Sequence, residues 1–142
     1  MLTRLLVPMD DSEYAAHALE YALENHPEAE VTVLHVVGVP SMMMGEAVGL
    51  MLEDDLDEAA ETLAEPVFER ARATAADYDR EIDTIVGVGH PARNVIDRAD
   101  DYDTVVVGAH GADRDRATRR FLVGNVAETV SKRAPVPVVI VR

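Results

Sequence analysis

The chain is expected to fold as an α/β domain, a three-layer, doubly wound, five-stranded parallel sheet, and three observations predict it. Short aliphatic runs alternate with segments of helical period along the whole chain. The run Val105-Val106-Val107 is apolar without alternation, as in a strand covered on both faces. Finally, 142 residues with 48% hydrophobic but only 4% aromatic side chains suit one aliphatic core, so residues 1–142 are read as a single domain.

The elements follow in order. Leu2 to Val7 is a short apolar run ended by Pro8, and Asp10, Asp11 and Ser12 follow it with residue types that cap a helix. Ala15, Leu19, Ala22 and Leu23 then recur on one helical face until Asn25 to Pro27 stops it. Val31 to Val37 is the second strand. Gly38 to Gly49, with Pro40, Ser41 and Met42-Met43-Met44, has no clear period and reads as a loop. From Leu52 onward, Leu56, Ala59, Ala60, Leu63, Val67 and Ala71 mark a long amphipathic helix that Pro66 is expected to kink or divide. Glu81 to Val88 is the third strand, and Pro91 opens a helix carrying Ala92, Val95, Ile96 and Ala99. Thr104 to Val107 is the fourth strand. A stretch rich in Arg and Asp, a helix from about Val126 to Arg133 and a last strand from Val136 to Val141 complete the chain.

Right-handed crossovers leave two usual strand orders for such a sheet, 3-2-1-4-5 and 2-1-3-4-5, and the first is adopted. Ligands of doubly wound sheets bind where the winding reverses, beyond the carboxyl ends of the strands. In the adopted order that point lies between strands 1 and 4. The loop Pro8 to Ser12 then faces the loop Gly108-Ala109-His110-Gly111, whose glycines allow close backbone approach to a ligand. Gly124 and Asn125 open the last helix, where unpaired N–H groups suit a phosphate.

The charge excludes whole classes of partner. At −14, with 27 acidic against 13 basic residues, the surface repels phosphate backbones and anionic lipid, so neither nucleic acid nor membrane is an expected partner. No cysteine is present, which removes disulfides, thiolate catalysis and cysteine-based zinc sites. Neither a secretory leader nor an apolar run of about 20 residues is evident, so a soluble, cytoplasmic protein is expected. Lys132 is the only lysine among the basic residues. Acidity with scarce lysine suits a halophilic cell, because concentrated salt screens repulsion between carboxylates; high genomic GC content would also favour Arg over Lys.

Several segments, in order, resemble the universal stress protein family, within the adenine nucleotide α-hydrolase-like fold. They are Val7-Pro8-Met9-Asp10-Asp11-Ser12, Leu34-His35-Val36-Val37, Val88-Gly89-His90-Pro91, Val107-Gly108-Ala109-His110-Gly111, Gly124-Asn125-Val126 and the closing Pro135 to Val141. The resemblance covers essentially the whole chain, and the acidic, lysine-poor composition suggests a haloarchaeal member. The resemblance implies binding of ATP or another adenine nucleotide, with or without Mg²⁺. Asp10 and Val36 would border the adenine, Gly108 and Gly111 the ribose and phosphates, and Gly124, Asn125 and Val126 the phosphate chain. Pro8, Met9, Val107 and His110 complete the implied site.

Two departures stand against that pattern. Family members with the ATP motif have Gly-x2-Gly, nine residues, then Gly-Ser or Gly-Thr, whereas twelve residues separate Gly111 from Gly124 and Asn125 replaces the hydroxyl residue. The longer spacer carries Arg114, Arg116, Arg119 and Arg120, which either clamp an anion or pair with Asp113, Asp115 and other acids. A member that binds no nucleotide and acts as a dimeric interaction module is therefore the alternative.

Other residues have plainer roles open to them. Asp10 can cap the first helix or bond a turn, and Asn125 with Glu128 has nearly the spacing of a capping box. His17, His26, His35 and His90 have no metal spacing, and Met42, Met43, Met44 and Met51 suit an adaptable lid or interface. No nucleophile, base and oxyanion set can be assembled, so an enzyme is not expected beyond slow incidental ATP hydrolysis. The apolar last strand, Val136 to Val141, would be hazardous bare, and a homodimer pairing it with its copy is the economical cover.

Overall fold

The computed structural model describes residues 3–38, 53–110 and 125–142. The elements are β1 (Arg4–Pro8), α1 (Glu13–Asn25), β2 (Glu30–Val37), α2 (Glu53–Ala76), β3 (Asp83–Val88), α3 (Pro91–Arg98) with a 3-10 turn at Ala99–Asp101, β4 (Thr104–Gly108), α4 (Asn125–Arg133) and β5 (Val138–Val141). The five strands are all parallel in the order 3-2-1-4-5, as the sequence predicts. β1 is central, with Leu5 opposite Val31 of β2 on one side and Thr104 of β4 on the other.

The strands read as continuous apolar runs because both faces are covered. Leu5, Val7, Val31 and Val33 pack on one face against Ala18, Leu19 and Ala22 of α1 and Ala64, Phe68 and Ala71 of α2. Leu6, Leu34 and Val105 pack on the other against Val95 of α3 and Val130 of α4. Among the described residues twelve larger aliphatic side chains, Leu5 and Val106 among them, are wholly enclosed, so aliphatic interdigitation fills most of this core.

Proline accounts for three differences from the expected elements, while β3 begins at Asp83 rather than Glu81. β1 runs through Pro8, and the next backbone bond, from the Met9 N–H to the Leu34 carbonyl at 2.8 Å, steps past the missing donor. β5 begins at Val138 rather than Val136, since Pro137 offers only its carbonyl, which accepts the Val105 N–H at 3.1 Å. α2 is one helix across Pro66, not two. Ala64, Val67 and Phe68 are buried on either side of that proline, so both halves pack into the same core.

Two polar knots set the chain's course away from the switch point. Arg80 donates to the carbonyls of Leu23, His26 and Ala29, satisfying the carboxyl end of α1 and the turn into β2. At the amino ends of the strands, the Asp103 carboxylate accepts from the Thr3 N–H and hydroxyl at 2.7 and 2.8 Å and from the Arg4 N–H at 2.9 Å. These bonds hold its pKa below the ordinary carboxylate value.

Candidate functional site

The tip of β1 is fixed from three directions. The Met9 side chain is buried in the core under α1 and α2. Asp10 Oδ1 accepts the Ser12 N–H at 2.9 Å, and Ser12 Oγ in turn accepts the Ala15 N–H at 3.1 Å, capping α1. The turn role open to Asp10 is thus realised, and the cap belongs to Ser12. From β2, His35 Nδ1 lies 2.7 Å from the Met9 carbonyl, and from α2, Arg70 donates to the Asp11 carbonyl at 3.2 Å and pairs with its carboxylate. Met9, Asp10, Ala16, Val67, Arg70, Ala73 and Thr74 line a cavity of about 240 Å³ between this tip and the two helices.

The tip of β4 meets α1 directly. A Cβ at Gly108 would lie 2.7 Å from the backbone carbon and oxygen of Tyr14 and 3.0 Å from the Ala15 nitrogen. Glycine is needed here because the first turn of α1 presses on the end of β4, so the space a side chain would take is filled by protein backbone. Two residues on, the His110 ring stands edge-on to Tyr14, with centroids 4.9 Å apart and planes at 78°. Its Nδ1 is enclosed and has no hydrogen-bond partner among the described residues. Enclosed polar atoms are nearly always partnered, so the partner of this nitrogen lies beyond the described residues or in a bound group.

The structure therefore brings Met9, Asp10, Gly108 and His110 together around the first turn of α1. Pro8 ends β1 opposite Leu34, and Val36 lies half-buried in β2 beside Gly87 of β3. Val107 is buried in β4, while Val126 is half-buried against the α3 and α4 side of the core. Asn125 is the first residue of α4. Gly111, Gly124, the four spacer arginines and Met42, Met43, Met44 and Met51 lie outside the described residues. Glu128, three residues beyond Asn125, accepts from Lys132 at 2.9 Å, which lowers its pKa. The turn Val88-Gly89-His90-Pro91 places Gly89 at φ 109°, a left-handed conformation that favours glycine, and its N–H bonds the Val37 carbonyl at 2.9 Å.

Sequence reasoning missed Tyr14, Arg70 and the bond made by His35. Only His35 carried a signal, as the one polar residue inside an otherwise aliphatic strand end. Among the described residues no group of three His, Asp or Glu side chains could hold a metal ion, and no helix is long and apolar enough to cross a membrane.

Comparison with known proteins points one way. The sequence profile of the universal stress protein family matches residues 1–142. Universal stress protein YxiE of Bacillus subtilis is 28% identical, with 100% of each chain covered. Universal stress protein MJ0577 of Methanocaldococcus jannaschii is 26% identical, over 100% of this chain and 96% of its own. A solved structure of MJ0577 superposes with a TM-score of 0.75 over 98% of this chain and 94% of the other. The structure of a universal stress protein from Archaeoglobus fulgidus in complex with dAMP has a TM-score of 0.62 at 26% identity, covering 99% of this chain and 98% of that one.

Proposed function

Because the chain belongs to the universal stress protein family, we propose that it binds ATP or another adenine nucleotide at the switch point between β1 and β4, and acts in a cytoplasmic stress response as a non-enzymatic homodimer. Asp10 and Val36 would hold the adenine. The β4 tip, Gly108 with His110, and the start of α4 would hold ribose and phosphates, with Gly111 and Gly124 in the family's positions. The observation that carries this reading is the enclosed Nδ1 of His110, which has no partner among the described residues and is set between the β4 tip and α1, where a bound molecule would supply one. The dAMP bound by the Archaeoglobus relative supports the ligand class. The described residues supply no acidic cluster for Mg²⁺, so a magnesium ion would enter with the phosphates. The dimer would join through Val136 to Val141, and the acidic surface fits a halophilic setting.

One calorimetric series tests the reading, in which ATP, AMP and cyclic AMP are titrated into the protein in high salt with and without Mg²⁺. His110→Phe keeps a ring against Tyr14 but removes the nitrogen, and it should weaken binding about tenfold, the value of one hydrogen bond to an enclosed group. Heat from none of the nucleotides with the wild-type protein would overturn the proposal. The second reading, an interaction module without nucleotide, would then stand. It is favoured by the twelve-residue spacer and by the α1 backbone that fills the space beside Gly108.

A further inference from the structure

The hydrogen bond from His35 to the tip of β1 is not used by the proposed binding reaction. The last register pair between β1 and β2 is Pro8 with Leu34, and the Met9 N–H closes on the Leu34 carbonyl at 2.8 Å. Beyond it the chain leaves the sheet for the turn at Asp10. There the His35 imidazole reaches across and meets the Met9 carbonyl at 2.7 Å, so a side chain extends the strand pairing one step past the backbone ladder. A carbonyl only accepts, so Nδ1 carries the hydrogen of this bond. Asp10, the next residue, is then locked from its other side by the Ser12 N–H.

We infer that His35 is a positioning residue that fixes where β1 ends, and thereby presents Asp10 at the switch point, through the bond from its Nδ1–H to the Met9 carbonyl. The role of Asp10 toward a nucleotide rests on the function proposed above; the positioning of the loop does not. Nothing in the bond requires ligand chemistry from His35 itself. The residue types that can replace it are set by reach: an Asn amide can place its N–H near the Nδ1 position, a Gln amide places it near Nε2, and Leu supplies none.

The test combines nitrogen-15 NMR of His35, amide hydrogen exchange at Met9 to Ser12, and ATP calorimetry on the wild type, His35→Asn, His35→Gln and His35→Leu. The wild type should show the Nδ1–H tautomer. His35→Leu should speed exchange at Asp10 and Ser12 and weaken ATP binding by about three- to tenfold, as loss of one net hydrogen bond implies. His35→Asn should restore both, and His35→Gln should not. An Nε2–H tautomer in the wild type, unchanged loop exchange in His35→Leu, or an Asn variant as impaired as the Leu variant would each overturn the inference. If the wild type binds no nucleotide, the function proposed above falls, while the tautomer and the exchange rates still decide the role of His35.

Discussion

Gly108 shows how one residue type can be chosen for a reason unlike the one its setting suggests. A glycine after a buried strand reads as room for a ligand, yet the neighbour within reach of its absent Cβ is the backbone of Tyr14. Backbone cannot swing aside as a side chain can, so Gly108→Ala should cost about 1–3 kcal/mol in urea unfolding, the range of overpacked cores. A variant as stable as the wild type would refute that contact. Asp103 makes a pH-dependent contribution. Its folded pKa lies below the unfolded one, so the stability it adds is present above the ordinary carboxylate range and fades as pH falls through the folded value. Unfolding followed from neutral pH to about pH 3 should therefore show a shallower acid loss in Asp103→Asn than in the wild type. Local roles such as the Ser12 cap and the Asp10 turn were legible because they join residues two or three apart. The contacts of His35 with Met9 and of His110 with Tyr14 join distant residues, and no one-dimensional spacing records them.

Elements were easier to read than their ends. Aliphatic runs separated by helical periods gave the parallel sheet, because double coverage favours that composition, while the order 3-2-1-4-5 came from choosing between the two that right-handed crossovers allow. Boundaries went astray at Pro8, Pro66 and Pro137, where the missing N–H was weighed without the tertiary contacts that decide whether its loss is tolerated. β5 carries the main consequence at this scale. Among the described residues it pairs only with β4, and it exposes 45% of Ile140 at an apolar edge. If a second copy covers that edge, Ile140→Lys should convert a dimer into a monomer in sedimentation velocity with little change in the far-ultraviolet spectrum. A wild-type protein that sediments as a monomer at every concentration would remove the proposed dimer.

Across the whole molecule, charge is the dominant physical fact. A net −14 on 142 residues sets carboxylates against one another over most of the surface. Exposed ion pairs such as Arg4 with Glu30 and Arg72 with Glu65 offset little of it, since solvent-screened pairs contribute at most about 1 kcal/mol each. The unfolding midpoint should accordingly rise between low and multimolar KCl, and equal midpoints would assign the arginine bias to base composition instead. The central place of β1 has an effect in time as well as in space. β1 bonds on one flank to a segment made about a hundred residues later, so that flank stays open until β4 has left the ribosome. The order of manufacture and the order of assembly diverge at this seam, and the earlier strand must wait for its late-arriving neighbour.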